Sequence, residues 1–157
     1  MLRMIDPKES AYLKAKKIET GTVIDHVPRG VALKVLRVLG IESDFPGTVT
    51  VLMNVPSSHY GSKDIIKIEG LILQKKEIAK MALLAPAATV NTIQNFTVVD
   101  KYVVQVPSVL EGVVACPNPT CITRSEGTAR LLVENASPVC LRCAYCEKVY
   151  AESDITY

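Results

Sequence analysis

Cys116-Pro117-Asn118-Pro119-Thr120-Cys121 and, after an interval of 21 residues, Cys143-Ala144-Tyr145-Cys146 are the stretches that decide how this chain is organised. The first is a C-x4-C pair and the second a C-x2-C pair. At such spacings one tight turn can present two sulfurs to a single ion while backbone N–H groups hydrogen-bond them. Two such knuckles brought together make a tetrahedral four-sulfur shell, the preferred structural coordination of Zn2+. Four thiolates leave no open position for water, so the ion would be structural and not catalytic.

A fifth cysteine complicates the pairing, because Cys140 also stands in C-x2-C register with Cys143. Pattern favours Cys143 with Cys146, since Glu147-Lys148-Val149-Tyr150 resumes an alternation expected of a strand leaving a knuckle. Cys140–Cys143 stays open as a rival. An iron site of the rubredoxin kind would use the same ligands. A thioredoxin-like redox pair would need its C-x2-C at a helix start, with no second knuckle waiting.

All five cysteines lie between residues 116 and 146, and the first 115 residues have none. An odd, clustered set is unlike an oxidised secreted scaffold and points to a metal in a reducing compartment. Nothing resembles a signal peptide or a membrane span, so the expected location is the cytoplasm, with no membrane partner. Hydrophobic residues make up 48% of the 157 and charged residues 22%, which excludes wholesale disorder. Aromatics are only 5%, with no Trp, so the core must be aliphatic.

The cysteine boundary is also a charge boundary. Residues 1–107 carry 14 Lys and Arg against 10 Asp and Glu, whereas residues 108–157 carry 4 against 6. The segment Val103-Val104-Gln105-Val106-Pro107-Ser108 reads as an extended connector punctuated by Pro107. Two domains are therefore expected, 1–107 and 108–157. Four thiolates and one Zn2+ would take the second to a formal charge of about −4, which argues against phosphate contact and a nucleic-acid partner. About 50 residues cannot easily hold together by core burial alone, so a metal-stapled surface for another protein is the better reading.

In the first domain periodicities alternate. Gly21–Val27 is β-branched and strand-like, and Pro28-Arg29-Gly30 breaks it. Val31, Val35, Leu36, Val38 and Leu39 fall on one helical stripe, with Gly40 as a helix stop. Thr48–Val55 and Asp64–Ile72 are β-rich runs around a polar connection that includes His59. Lys75–Leu84 reads as a second helix ended by Pro86, and Ala88–Val99 as a further strand. The order βαββαβ predicts an α+β, ferredoxin-like arrangement with both helices on one sheet face, followed by a small all-β zinc-ribbon-like domain.

No GxGxxG, P-loop, HExxH or GxSxG motif is present, so the common cofactor and nucleophile signatures are missing. His26 ends the first strand beside Asp25 and reads most simply as a locally hydrogen-bonded residue. Lys67 interrupts the apolar run Ile65-Ile66-Lys67-Ile68, which places it on the face without helices. With Asp25 and Asn91 on other strands it would form a polar pocket for an anionic, hydrogen-bonding small molecule.

Several segments taken together resemble one family, the regulatory chain of aspartate carbamoyltransferase. They are Gly-Thr-Val-Ile-Asp-His at 21–26, Asn-Val-Pro-Ser at 54–57, Lys-Asp-Ile-Ile-Lys-Ile-Glu at 63–69 and Ala-Pro-Ala-Ala-Thr-Val-Asn-Thr-Ile at 85–93. Cys-Pro-Asn-Pro-Thr-Cys-Ile at 116–122 and Cys-Ala-Tyr-Cys-Glu-Lys at 143–148 complete the set, in order along nearly the whole chain. The resemblance implies a non-catalytic regulatory subunit of pyrimidine biosynthesis with a nucleotide-binding domain and a zinc domain.

By the same resemblance, Asp25 and His26 lie near ribose or base, and Lys67 and Lys101 meet ribose and phosphates. Lys63 is a nearby phosphate-side lysine, Asn91 and Ile93 line the pocket, and Ile18 and Val23 pack about the base. Cys116, Cys121, Cys143 and Cys146 are the implied zinc ligands, with Cys140 extra. CTP, ATP or UTP are the implied effectors. The implied partners are the catalytic chain and a second regulatory chain, in a dodecamer of two catalytic trimers and three regulatory dimers. Two departures stand out: the stretch Lys14-Ala15-Lys16-Lys17 is strongly basic, and Phe96 stands where the family commonly has Tyr. The rival reading is a standalone zinc-ribbon protein that binds nucleic acid through its first domain.

Overall fold

The computed structural model describes residues 16–58 and 61–157. Lys14, Ala15 and His59 lie outside them. Among the described residues no helix is long and apolar enough to cross a membrane. The first sheet is built from β1 (Gly21–Pro28), β2 (Val49–Ser57), β3 (Gly61–Glu69), β4 (Thr89–Gln94) and β5 (Thr97–Val103), with α1 (Ala32–Val38) and α2 (Lys75–Met81) between them. Strand order is β2-β3-β1-β4-β5, all neighbours antiparallel. The first four strands have the ferredoxin-like order, with β5 added outside β4.

That added strand departs from the sequence expectation. Ala88–Val99 divides into β4 and the start of β5 because Asn95 and Phe96 both take positive φ, 49° and 62°. Two successive left-handed residues reverse the chain in a two-residue hairpin. The usual marker would be Asn-Gly, and Phe at the second position concealed it. The extended connector accordingly starts after Val103.

Both helices cover one face. Ile24, Ile66, Ile68 and Val90 from the strands pack with Ala32, Val35 and Met81 from the helices in one buried aliphatic cluster. Each helix is only 7 residues long, too short to stand alone, so packing holds it. Gly40 ends α1 in the left-handed conformation. There its N–H donates to the Arg37 carbonyl at 3.0 Å and the Ile41 N–H to that of Leu36 at 2.9 Å, the paired bonds of a Schellman cap. The second helix stops at Met81, and the chain turns through Leu84 with the N–H groups of Leu84 and Ala85 both donating to the Met81 carbonyl.

One buried carboxylate ties the layers. Asp64 is fully buried, and its carboxylate accepts from the N–H groups of Gly30 at 2.8 Å, Ala32 at 3.2 Å and Asn54 at 2.9 Å. It thus joins β3 to the start of α1 and to the bulge in β2. Gly21 has no substitute, because a Cβ there would lie 2.1 Å from the Ile68 carbonyl oxygen.

The second sheet is an antiparallel meander of β6 (Val109–Glu111), β7 (Arg130–Ala136), β8 (Val139–Cys143) and β9 (Val149–Ala151). Its core holds Leu110, Leu131, Leu141 and the buried cysteines, and Leu83 of the first domain is packed into it. Val106 of the connector touches both cores. The two sheets therefore share apolar packing and are not merely tethered.

Asp64→Ala should take the acceptor from three amide donors, the buried Ala32 N–H among them, and cost about 3 kcal/mol. Chemical denaturation of the purified chain should show the lower midpoint. Leu83→Ala, which opens a cavity between the domains, should cost about 2–5 kcal/mol in the same measurement.

Candidate functional site

Antiparallel register places the polar residues of the uncovered face in one row. Lys67 pairs with Val23, Val23 with Asn91, and Asn91 with Lys101, so their side chains stand abreast on the four adjacent strands β3, β1, β4 and β5. The Asn91 side chain donates to the Val23 carbonyl at 3.4 Å. Lys67 Nζ donates to the Lys16 carbonyl at 3.5 Å. A bulge in β1, where register shifts between Ile24 and Val27 and His26 has φ of 58°, ends the row and brings Asp25 and His26 to its rim.

Ile18, Val23, Asp25, His26, Lys67, Asn91, Ile93 and Lys101 all line one cleft of about 450 Å³. Lys17, Thr89, Phe96 and Val98 complete it. Thr89 and Val98 are lining residues that the sequence pattern does not mark as such: Thr89 stands two residues before Asn91 on the same face of β4, where strand parity is its signal, and Val98 enters with β5, whose hairpin has no customary glycine. The cleft has a cationic part in Lys17, Lys67 and Lys101 and an apolar part in Ile18, Val23, Ile93, Phe96 and Val98. Such a division suits a ligand with an anionic end and a flat, apolar end.

Lys63 does not line that cleft. Its Nζ lies 2.8 Å from Asp25 Oδ1, and it faces a neighbouring cavity shared with His26 and Arg29. Partial burial acts to raise the Asp25 carboxyl, but the Lys63 ammonium and the His26 backbone N–H outweigh it and hold it below its ordinary value of 3.8. The His26 N–H donates to Asp25 Oδ1 at 2.6 Å, and His26 Nδ1 lies 3.5 Å from the Thr89 hydroxyl. His26 thus has a backbone bond to its neighbour Asp25 and a ring close to Thr89 of β4, and it lines the cleft as well.

At the other end of the molecule, the sulfurs of Cys116, Cys121, Cys143 and Cys146 all lie within 4.8 Å of one another. Cys116 to Cys146 is 3.7 Å and Cys121 to Cys143 is 3.8 Å. A tetrahedral zinc ion with bonds of about 2.3 Å separates its sulfurs by about 3.8 Å, so the donor set fits that ion. A disulfide would need about 2.05 Å. Burial pushes the Cys116 thiol up to about 12. At Cys146 burial also acts upward, but the Lys148 backbone N–H, Asn118 and Tyr150 outweigh it and hold the thiol at about 6.

Strand parity separates the fifth cysteine from this cluster. Along β8, Leu141 and Cys143 are buried, while Cys140 and Arg142 are more exposed and point to the opposite face. There Arg142 pairs with Glu134, and the Cys140 thiol donates to Glu134 Oε2 at 3.8 Å.

An open-faced α+β domain with a part-cationic cleft, packed on a small domain built about four sulfurs, defines a two-domain binding protein. The match to known proteins is specific. The family model described as the aspartate carbamoyltransferase regulatory chain, allosteric domain, matches residues 13–105. The model of the same chain's metal binding domain matches residues 108–156. The aspartate carbamoyltransferase regulatory chain of Pyrococcus horikoshii is 48% identical over 145 residues, covering 91% of this chain and 95% of the relative. That of Pyrococcus furiosus is 47% identical over 147 residues, 92% and 97% of the two chains. That of Saccharolobus solfataricus is 42% identical over 154 residues, 97% of each. The chain belongs to the family of aspartate carbamoyltransferase regulatory chains.

Lys63→Met should raise the Asp25 pKa, which NMR titration of the carboxyl group would report. Because the folded pKa is depressed, the pair's stabilisation is present above the ordinary carboxyl value and is lost as pH falls through the folded one. Wild type and variant should therefore differ in stability at neutral pH and converge in acid.

Proposed function

We propose that this chain is a non-catalytic regulatory subunit that binds nucleoside triphosphates on the open sheet face and grips a catalytic chain through its metal-bearing domain. The division of labour would follow residues 1–107 and 108–157. The observation that carries the reading is the row Lys67–Val23–Asn91–Lys101 across one cleft. Lysines supply point charges for phosphates, while Asp25 and Asn91 offer an acceptor and a donor to sugar and base. Ile18, Val23 and Ile93 would flank the base, and Lys63 would hold Asp25 ionised and in place. CTP, ATP and UTP share this chemistry. The cytoplasm, where thiols stay reduced, suits the site.

Zn2+ is the ion the four sulfurs fit, with Cys116, Cys121, Cys143 and Cys146 as its ligands. It would supply a closed structural crosslink between the two knuckles. Exposed Ile122 and Tyr145, one in or beside each knuckle, together with Val149, leave apolar surface at that end for a catalytic chain. A second association is supported at the other end. Strand β5 forms a sheet edge whose residues are all exposed, including Val98, Val99, Tyr102 and Val103. An apolar edge of this kind invites pairing with another copy. Regulatory dimers bridging two catalytic trimers, three dimers in all, would satisfy both surfaces.

Nucleotide control of a distant active site requires different affinities for two quaternary states. The shared packing of Leu83 and Val106 between the domains is the physical route along which such a difference would be felt.

Replacing Lys67 or Lys101 with Ala should weaken triphosphate binding about tenfold or more, as loss of a charge-assisted hydrogen bond implies, with metal content unchanged. Calorimetric titration with CTP and ATP checks this, and unaltered affinity in both variants would remove the pocket assignment. Cys143→Ser should lose the ion and the ability to co-elute with a catalytic carbamoyltransferase chain on size exclusion, whereas Cys140→Ser should keep both. Salt-dependent binding of nucleic acid in place of that co-elution would favour the zinc-ribbon rival.

A further inference from the structure

The cluster of four sulfurs has a neighbour that its ligand pattern does not require. The Tyr150 hydroxyl oxygen lies 3.7 Å from Cys116 Sγ and 3.8 Å from Cys146 Sγ, and those two sulfurs are themselves 3.7 Å apart. The hydroxyl thus sits over one edge of the sulfur tetrahedron, and that edge joins the first knuckle to the second.

Its placement is set by the sheet. In β9, Tyr150 pairs with Leu141 of β8, which in turn pairs with Val133 of β7. Leu141 is fully buried, so the shared face is the core face and Tyr150 is carried inward, while Val149 and Ala151 are exposed. Ring packing alone would be served by Phe, which has the same shape without the polar group. A metal-bound thiolate has no proton to give, so the hydroxyl can only donate to it. By contrast, the Thr123 hydroxyl lies 3.2 Å from Cys121 Sγ and belongs to the same knuckle as that sulfur.

We propose that Tyr150 is a positioning residue for the metal centre, its hydroxyl donating jointly to the sulfurs of Cys116 and Cys146. It would thereby bind the two knuckles to each other and make their sulfurs less reactive. Hydrogen bonding draws electron density from a thiolate, which weakens its attack on electrophiles. Groups that hydrogen-bond metal ligands typically alter metal affinity by about 10–100-fold when changed. The proposal rests on the reading of the four cysteines as a metal site.

The test uses the full chain, with Co2+ taking the place of Zn2+ as a spectroscopic probe. Tyr150→Phe should move the sulfur-to-cobalt charge-transfer band to lower energy, because the sulfur electrons are no longer held by the donated proton. In the zinc-loaded chain the same variant should release Zn2+ to a chelating dye about tenfold faster on challenge with an organomercurial. Tyr157→Phe, an exposed ring outside both knuckles, should change neither reading. If wild type shows a tetrahedral cobalt–thiolate spectrum and Tyr150→Phe matches it in band energy and release rate, the role of Tyr150 falls and the metal site stands. If wild type takes up neither ion, both readings fall together.

Discussion

Successive side chains on a β-strand point to opposite faces, and nearly every assignment in this protein depends on that constraint. In β1 it sends Thr22 and Ile24 toward the helices and Val23 and Asp25 toward the open face. Register then extends the division sideways, so Lys67, Asn91 and Lys101 must join Val23 on the side the helices leave uncovered. In β8 the same rule turns Cys143 inward and Cys140 outward. In β9 it carries Tyr150 to the sulfur cluster. A one-residue slip in any of these strands would exchange the cleft residues for the opposite set, or turn Cys143 or Tyr150 away from the other sulfurs.

Interruptions of the pleat are as informative as its regular parts. The bulge at His26 lets Asp25 and His26 both reach the rim of the cleft, which strict alternation would forbid. The corresponding irregularity in β2 frees the Asn54 N–H for the buried Asp64 carboxylate. These two devices lie at the same end of the sheet, where Lys63 meets Asp25. That end therefore joins the Lys63–Asp25 ion pair at the cleft rim to a buried structural carboxylate on the next residue of β3.

Coupling between the two halves has a physical basis in Leu83 and Val106. Leu83 lies within the turn that ends α2 and is buried against Leu110, Leu131 and the cysteines. Displacement of α2 on its sheet would be transmitted to the second core by packed side chains, which resist continuous deformation. Strands β1 and β4 present cleft residues on one face and helix-packing residues on the other, so cleft and helices share the same two strands.

The knuckle spacings, the charge boundary and the two alternating periodicities were legible along the chain, because ligand geometry and amphipathic pattern are local properties. They determined by themselves that an aliphatic α+β unit precedes a four-sulfur unit, and that Lys67 is the anomaly on its strand. Tertiary structure alone decided the rest. The Asn95-Phe96 hairpin lacked its customary glycine, so β5 and the cleft residues it brings had no local mark. Cys140 and Cys146 have equal spacing from Cys143; the alternation after Cys146 favours Cys146, and the outward turn of Cys140 on β8 leaves it outside the cluster of four sulfurs. The pairing of Lys63 with Asp25, the burial of Leu83 across the domain boundary and the approach of Tyr150 to two sulfurs all join residues distant in sequence, whose meeting depends on register and packing that no local pattern records.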